Sequence, residues 1–108
     1  MVKSRDQIIQ VVRCYLASLA NDFRITQAYL FGSYAQGTAR EESDIDVALV
    51  SEDFRDKSEM ELLGYLSQKT IPVHTGLEVL AFTPEELEQP DPRTLSYQVK
   101  TFGVPLVP

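Results

Sequence analysis

The chain has 108 residues, 44% of them hydrophobic and 24% charged, which suits one modest core, leaves too little for two, and excludes an extended disordered chain. Ten Lys and Arg against sixteen Asp and Glu give a formal charge of −6, which disfavours nucleic acid as a partner because that affinity comes from neutralising phosphates. The single cysteine, Cys14, excludes an internal disulfide and a multi-cysteine zinc site, and reads as a small residue on a half-buried helix.

Beyond the charged start the apolar residues are interrupted by Gln10 and Arg13, so neither a signal-peptide core nor a membrane span is expected and the chain reads as cytoplasmic. Its acidic balance suits a docked basic protein or a metal-bound nucleotide.

Ser4-Arg5-Asp6-Gln7 has the form of a capping box, and Ile8, Val12, Tyr15, Leu16 and Leu19 follow at helical spacing. This predicts a helix over about Arg5 to Ala20, ended by a turn at Asn21-Asp22. Ile25 to Phe31, rich in β-branched and aromatic residues, is expected to be a strand. Gly32 to Gly37 reads as a tight turn leading into one helical turn, and Thr38 to Ser43 as a polar loop. Asp44-Ile45-Asp46-Val47-Ala48-Leu49-Val50 is a second strand candidate, apolar except for its aspartates.

Ser51 to Lys57 follows as a charged loop. Ser58 can cap a helix with Glu61 as its box partner, and either Met60, Leu63 and Leu66 or Leu62 and Tyr65 supply the buried side. Pro72 ends that helix near Lys69. Leu77 to Phe82 is a third strand. Thr83-Pro84-Glu85-Glu86 combines a capping residue, a first-turn proline and a glutamate three residues after the cap. A last helix is expected over Arg93 to Phe102, with Gly103 at its C′ position, before a terminal strand over Val104 to Val107. This order predicts an α/β (α+β) fold in one domain over 1–108, with a small mixed sheet of about four strands flanked by helices.

The chemistry concentrates between Leu30 and Leu49. Residues two apart in a strand point to one face, roughly 6.5–7 Å apart along the chain, so Asp44 and Asp46 are expected to project together. Two such carboxylates in an apolar strand repel unless a cation compensates, and Mg²⁺ takes hard oxygen ligands of this kind. Alone, an Asp-x-Asp is equally a solvated pair at a strand edge. Gly32-Ser33 presents a hydroxyl and backbone N–H groups at the start of a turn, which can cradle phosphate or can simply begin a helix.

Taken together, a strand ending in Gly32-Ser33, ten connecting residues and then Asp44-Ile45-Asp46 resemble the signature of the DNA polymerase beta-type nucleotidyltransferase superfamily. The stretch from Leu30 to Leu49 and the Gly103-Val104-Pro105-Leu106 ending look most like its small stand-alone branch, the minimal nucleotidyltransferases. The resemblance implies a polymerase beta-like fold and a third carboxylate on a later strand. Glu78, alone between apolar neighbours on the third strand, is the candidate, although Asp is common there in the superfamily and an exposed strand Glu is the plain alternative.

By resemblance Asp44, Asp46 and Glu78 are the catalytic and metal-binding residues, and Gly32 and Ser33 bind the nucleotide phosphates. Two Mg²⁺ ions are implied, with Mn²⁺ as the alternative metal, together with ATP or another NTP. Arg40 is read as a phosphate contact or a solvated charge, and Arg55, Lys57 and Lys69 as solvated charges. His74 is read as structural or solvent-facing, Tyr34 as a sheet-packing or base-stacking ring, and Glu85, Glu86 and Glu88 as a solvated helix start. Tyr15, Tyr65 and Tyr97 are assigned to core or interface.

About thirty residues follow Glu78, too few for the acceptor-binding domain that larger nucleotidyltransferases carry. Chains resembling this one commonly pair with an all-helical HEPN-type toxin encoded alongside, and the resemblance implies AMP transfer to a tyrosine of that ribonuclease, the chain acting as antitoxin. A small-molecule (aminoglycoside-like) nucleotidyltransferase and a non-catalytic module that sequesters its partner are the other two readings. An acidic surface and open strand edges are compatible with an oligomer.

Overall fold

Ser4 starts the first helix as its spacing predicts. Its hydroxyl accepts from Gln7 N–H at 3.2 Å, and the Gln7 side chain accepts from Ser4 N–H at 2.8 Å. The computed structural model describes residues 3–41, 43–74 and 76–107. Glu42, inside the expected polar loop, lies outside them. The elements in chain order are α1 (Arg5–Leu19), β1 (Gln27–Phe31), α2 (Ser33–Gln36), β2 (Ile45–Val50), a 3-10 turn (Glu52–Phe54), α3 (Glu59–Thr70), β3 (Leu77–Phe82), α4 (Pro84–Glu88), α5 (Leu95–Phe102) and β4 (Val104–Val107).

The four strands form one mixed sheet in the order β3-β2-β1-β4. β1 runs antiparallel to both β2 and β4, while β2 and β3 are parallel across the α3 crossover. Alternation along the strands then sorts the side chains. Ala28, Leu30, Ile45, Val47, Leu49 and Leu77 pack with Ile8, Val12, Tyr15 and Leu19 of α1 and Leu62 and Leu66 of α3 in the larger core. The opposite face carries Ala48, Val50 and Phe82 under Leu87 of α4 and Val99 of α5. Asp46 and Glu78 belong to that second face, next along their strands from Ala48 and Leu80. The smaller helices thus cover one part of this face, and the acidic part adjoins it.

Several boundaries differ from expectation for identifiable reasons. β1 begins at Gln27 rather than Ile25, because side chains replace the ladder there: Ser51 Oγ donates to Arg24 C=O at 2.8 Å, and the Asp53 carboxylate accepts from Arg24 N–H at 2.7 Å. β2 begins at Ile45, leaving Asp44 just outside the strand and exposed. α5 begins at Leu95 rather than Arg93, since Asp91 holds Arg93 and Thr94 in a turn and the Thr94 hydroxyl caps the helix. Along α3 the buried stripe is Leu62, Leu66 and Thr70, whereas Met60 is 85% exposed and Tyr65 lies outward. Ser58 holds the N-cap backbone position without a side-chain bond. Cys14 is exposed, not half-buried.

Gly103 does not take the left-handed form expected of a C′ glycine. Its backbone is extended, and its N–H bonds to Val99 C=O at 2.8 Å. A Cβ there would stand 2.3 Å from that same oxygen, so glycine is required by close approach as the chain leaves α5 for β4.

Candidate functional site

The site starts where β1 stops. Gly32 follows Phe31 with φ 73° and ψ −151°, a region that side chains larger than hydrogen avoid, and Ser33 opens the single turn of α2. Phe31 is the cross-strand partner of Asp46, so the residue after it passes directly over the aspartate. A Cβ at Gly32 would stand 2.3 Å from Asp46 Oδ2. Glycine here leaves room for the carboxylate while letting the backbone turn. The Gln36 N–H bonds back to Gly32 C=O at 3.1 Å, while the N–H groups of Ser33, Tyr34 and Ala35 are those a helix start leaves without an intrahelical acceptor, beside this carboxylate.

Glu78 reaches the same place from the other side. Parallel register pairs it with Asp46, and its carboxyl lies within hydrogen-bonding reach of both Asp46 and Asp44. Negative charge on Asp44, then partial burial, then those hydrogen bonds hold the Glu78 carboxyl above its ordinary range. The Asp46 carboxyl is also raised, mainly by burial and further by Asp44, while the bond from Glu78 works in the opposite direction. The structure brings together all five residues singled out from the sequence, with Asp44 entering from the loop end rather than from within β2.

Crowded carboxylates that hold protons above their ordinary range are a donor set suited to a hard divalent cation. Among the described residues, no three His, Cys, Asp or Glu groups are already spread at ligating spacing. A cation would replace the hydrogen bonds that now join the carboxyls, and the donor chemistry fits it.

A cleft of about 390 Å³ opens beside Asp46 and Glu78, lined also by Phe31, Ser67, Leu77, Val79 and Leu80. Phe31 and Ser67 carry no sequence signal for this place; only register and the α3 crossover bring them there. His74 is closer to the site than its sequence context suggests. Its Nδ1 accepts from Gly76 N–H at 3.0 Å, and a Cβ at Gly76 would touch both the His74 ring and Asp44 Oδ1. Tyr34 packs against the larger core, and Arg40 is exposed. No helix is long and apolar enough to cross a membrane among the described residues.

The sequence profile of the family described as "Polymerase beta, Nucleotidyltransferase" matches residues 16–104. The chain belongs to this nucleotidyltransferase family. Members generally use a divalent metal. Among curated relatives, the polymerase beta-type chain is similar to "Putative protein adenylyltransferase MJ1379" of Methanocaldococcus jannaschii, 32% identical over 92 residues that cover 82% of this chain and 87% of that protein. Among solved structures, its fold matches a "putative nucleotidyltransferase" from Sulfolobus solfataricus with a TM-score of 0.68 at 16% identity, over 97% of this chain and 89% of the other. It also matches a toxin–antitoxin structure with AMP-PNP, with a TM-score of 0.63 at 26% identity, over 92% of this chain and 72% of that one. The nucleotidyltransferase fold expected from the Gly-Ser and Asp-Ile-Asp spacing is the fold observed.

Proposed function

We propose that residues 1–108 act as one minimal nucleotidyltransferase domain that transfers AMP from ATP to a hydroxyl of a partner protein in the cytoplasm. The proposed acceptor is a tyrosine on a HEPN-type ribonuclease toxin encoded alongside, which makes the chain its antitoxin. The observation that carries the transfer chemistry is the contact of Asp46 with the Gly32 backbone, with Glu78 beside it in register. Similarity to a protein named as an adenylyltransferase supports the protein acceptor, and similarity to a toxin–antitoxin structure with AMP-PNP supports both the toxin and the adenine nucleotide.

In this reading Asp44, Asp46 and Glu78 would hold Mg²⁺, two ions in all, with Mn²⁺ as the alternative. When bound, the metal supplies positive charge to the triphosphate and lowers the pKa of the acceptor hydroxyl. Gly32 lets the phosphates approach the backbone, and Ser33 with the first N–H groups of α2 orients them so that the α-phosphorus faces the acceptor. The acceptor oxygen bonds to the α-phosphorus while the bond to the bridging oxygen breaks, and pyrophosphate leaves with that electron pair. The hydroxyl proton passes to the Glu78 carboxylate beside it, which a bound metal would keep deprotonated until that transfer.

Intact-mass spectrometry of the neighbouring-gene protein, after incubation with this chain, ATP and Mg²⁺, tests the reading. Mass gain in AMP-sized steps, abolished by Asp46→Asn, supports it. No gain but a stable complex that blocks ribonuclease activity means a sequestering module. Neither outcome, with pyrophosphate released on adding low-molecular-weight alcohols, means a small-molecule enzyme.

A further inference from the structure

β3 brings more to the site than Glu78. Backbone bonds from Ile45 N–H to Gly76 C=O at 2.8 Å and from Ser51 N–H to Phe82 C=O at 3.1 Å bracket the parallel β2–β3 ladder. In such a ladder each residue turns both backbone groups to one side, and successive residues alternate. Glu78, Leu80 and Phe82 therefore bond toward β2, and Val79 and Ala81 turn N–H and C=O to the outer edge. β3 is terminal in the sheet order, so this edge borders no other strand among the described residues.

The cleft at the carboxylates follows that edge. Leu77, Glu78, Val79 and Leu80 all line it, with Ser67 of α3 also in its wall. Consecutive strand residues point to opposite faces, and the cleft meets all four together with Phe31 and Asp46 on one face and Ser67 of α3 on the other, the lining of a cleft that passes the outer side of the strand. Unpaired strand edges are templates for another chain, and here the template runs past a catalytic candidate.

We propose that the outer edge of β3 docks an extended segment of the acceptor polypeptide, which adds to the sheet as a further strand and sets its hydroxyl residue beside Glu78. This rests on the protein-acceptor reading above. A strand added there lies about 4.8 Å from β3, and a side chain directly across from Glu78 comes within about 5 Å of it, where an acceptor hydroxyl is needed. The next residue on the same face of the added strand, two positions away, meets Leu80 and is therefore apolar. The −6 formal charge favours basic residues farther out. Docking through main-chain bonds supplies affinity, and the face of the sheet supplies the selectivity.

The test uses the full chain, Mg²⁺, N6-propargyl-ATP and a random peptide library with a fixed central tyrosine, tagged products being captured and sequenced. Expected products carry Val, Ile, Leu or Phe two residues from the tyrosine and lack proline in the flanking positions. Val79→Pro removes an outward N–H, a placement that edge strands tolerate. It is expected to label the library about tenfold less, as loss of an edge hydrogen bond would give, with MgATP affinity unchanged. Should Val79→Pro fail to fold by circular dichroism, product composition alone decides. Products indifferent to flanking proline, or undiminished labelling by a folded Val79→Pro, overturn edge docking and leave protein AMP transfer standing. No labelled peptide from a chain that binds MgATP overturns both. A wild-type dimer in sedimentation that Val79→Pro dissolves assigns the edge to a second copy and overturns the proposal.

Discussion

Gly32 and Asp46 are in contact in the strict sense that nothing larger than hydrogen fits between them: a Cβ on the glycine would stand 2.3 Å from Oδ2 of the aspartate. The phosphate-loop candidate and the metal-ligand candidate are thus one construction. The pairing of Phe31 with Asp46 across β1 and β2 produces it.

Gly32→Ala is expected to abolish transfer while leaving a folded protein. The substituent meets Asp46 and forces a backbone region that costs of order 1–3 kcal/mol for non-glycine residues. Calorimetric titration with MgATP should show weakened binding alongside a far-ultraviolet circular dichroism spectrum like that of the parent. Parent-level affinity would mean that this contact does not shape the nucleotide site.

Asp46→Asn and Glu78→Gln are each expected to lower kcat by at least about a hundredfold, the scale of losing a metal ligand or a general base. Glu78→Asp tests the departure from the aspartate common in the superfamily. Recovery of a substantial part of the lost rate identifies Glu78 as the third carboxylate, whereas a variant as inactive as Gln points to length as the decisive property.

The same carboxyls make a pH prediction. Both are held above their ordinary values of 3.8 and 4.5, so the fold binds their protons more tightly than the unfolded chain does. Stability from this source is present below those ordinary values and declines as pH rises through the raised ones. In EDTA, the Tm of Glu78→Gln relative to the parent should rise between pH 4 and the raised values, by a few degrees at most because the groups are partly solvated. Adding Mg²⁺ should raise the parent Tm more than that of the variant. A Tm difference that falls with pH would reverse the assigned direction.

Tyr15 is fully buried, and its hydroxyl donates to Leu66 C=O at 2.8 Å, tying α1 to α3. Burial pushes the phenol well above its usual pKa, so it stays a donor across the working pH range. Tyr15→Phe is expected to cost about 1 kcal/mol, the net value of one such bond, with transfer activity kept. Urea unfolding at unchanged m-value measures it.

Gly103→Ala should destabilise by about 1–3 kcal/mol, because the new methyl overlaps Val99 C=O where α5 passes to β4. Hydrogen exchange should show the loss first in α5 and β4. Uniform protection across the sheet would place the strain elsewhere.

Local chemistry made much of this protein legible from its sequence. The Ser4 box, the α1 stripe, the strand from Ile45 to Val50, apolar except for Asp46, and the spacing from Gly32-Ser33 to Asp46 depend on residues close along the chain, and each is where that spacing puts it. Boundaries failed where distant side chains took over backbone bonds, as Ser51 and Asp53 do at Arg24. The buried stripe of α3 was ambiguous because two apolar sets compete within it, and packing against β3 and α1 selected Leu62 and Leu66. Above all, the residue types and their spacing determined which carboxylates could act, but not that Glu78 would stand level with Asp46 or that Phe31 and Ser67 would border them. Register between strands more than twenty-five residues apart is set by the whole sheet and its crossover helix, and only the tertiary structure decides it.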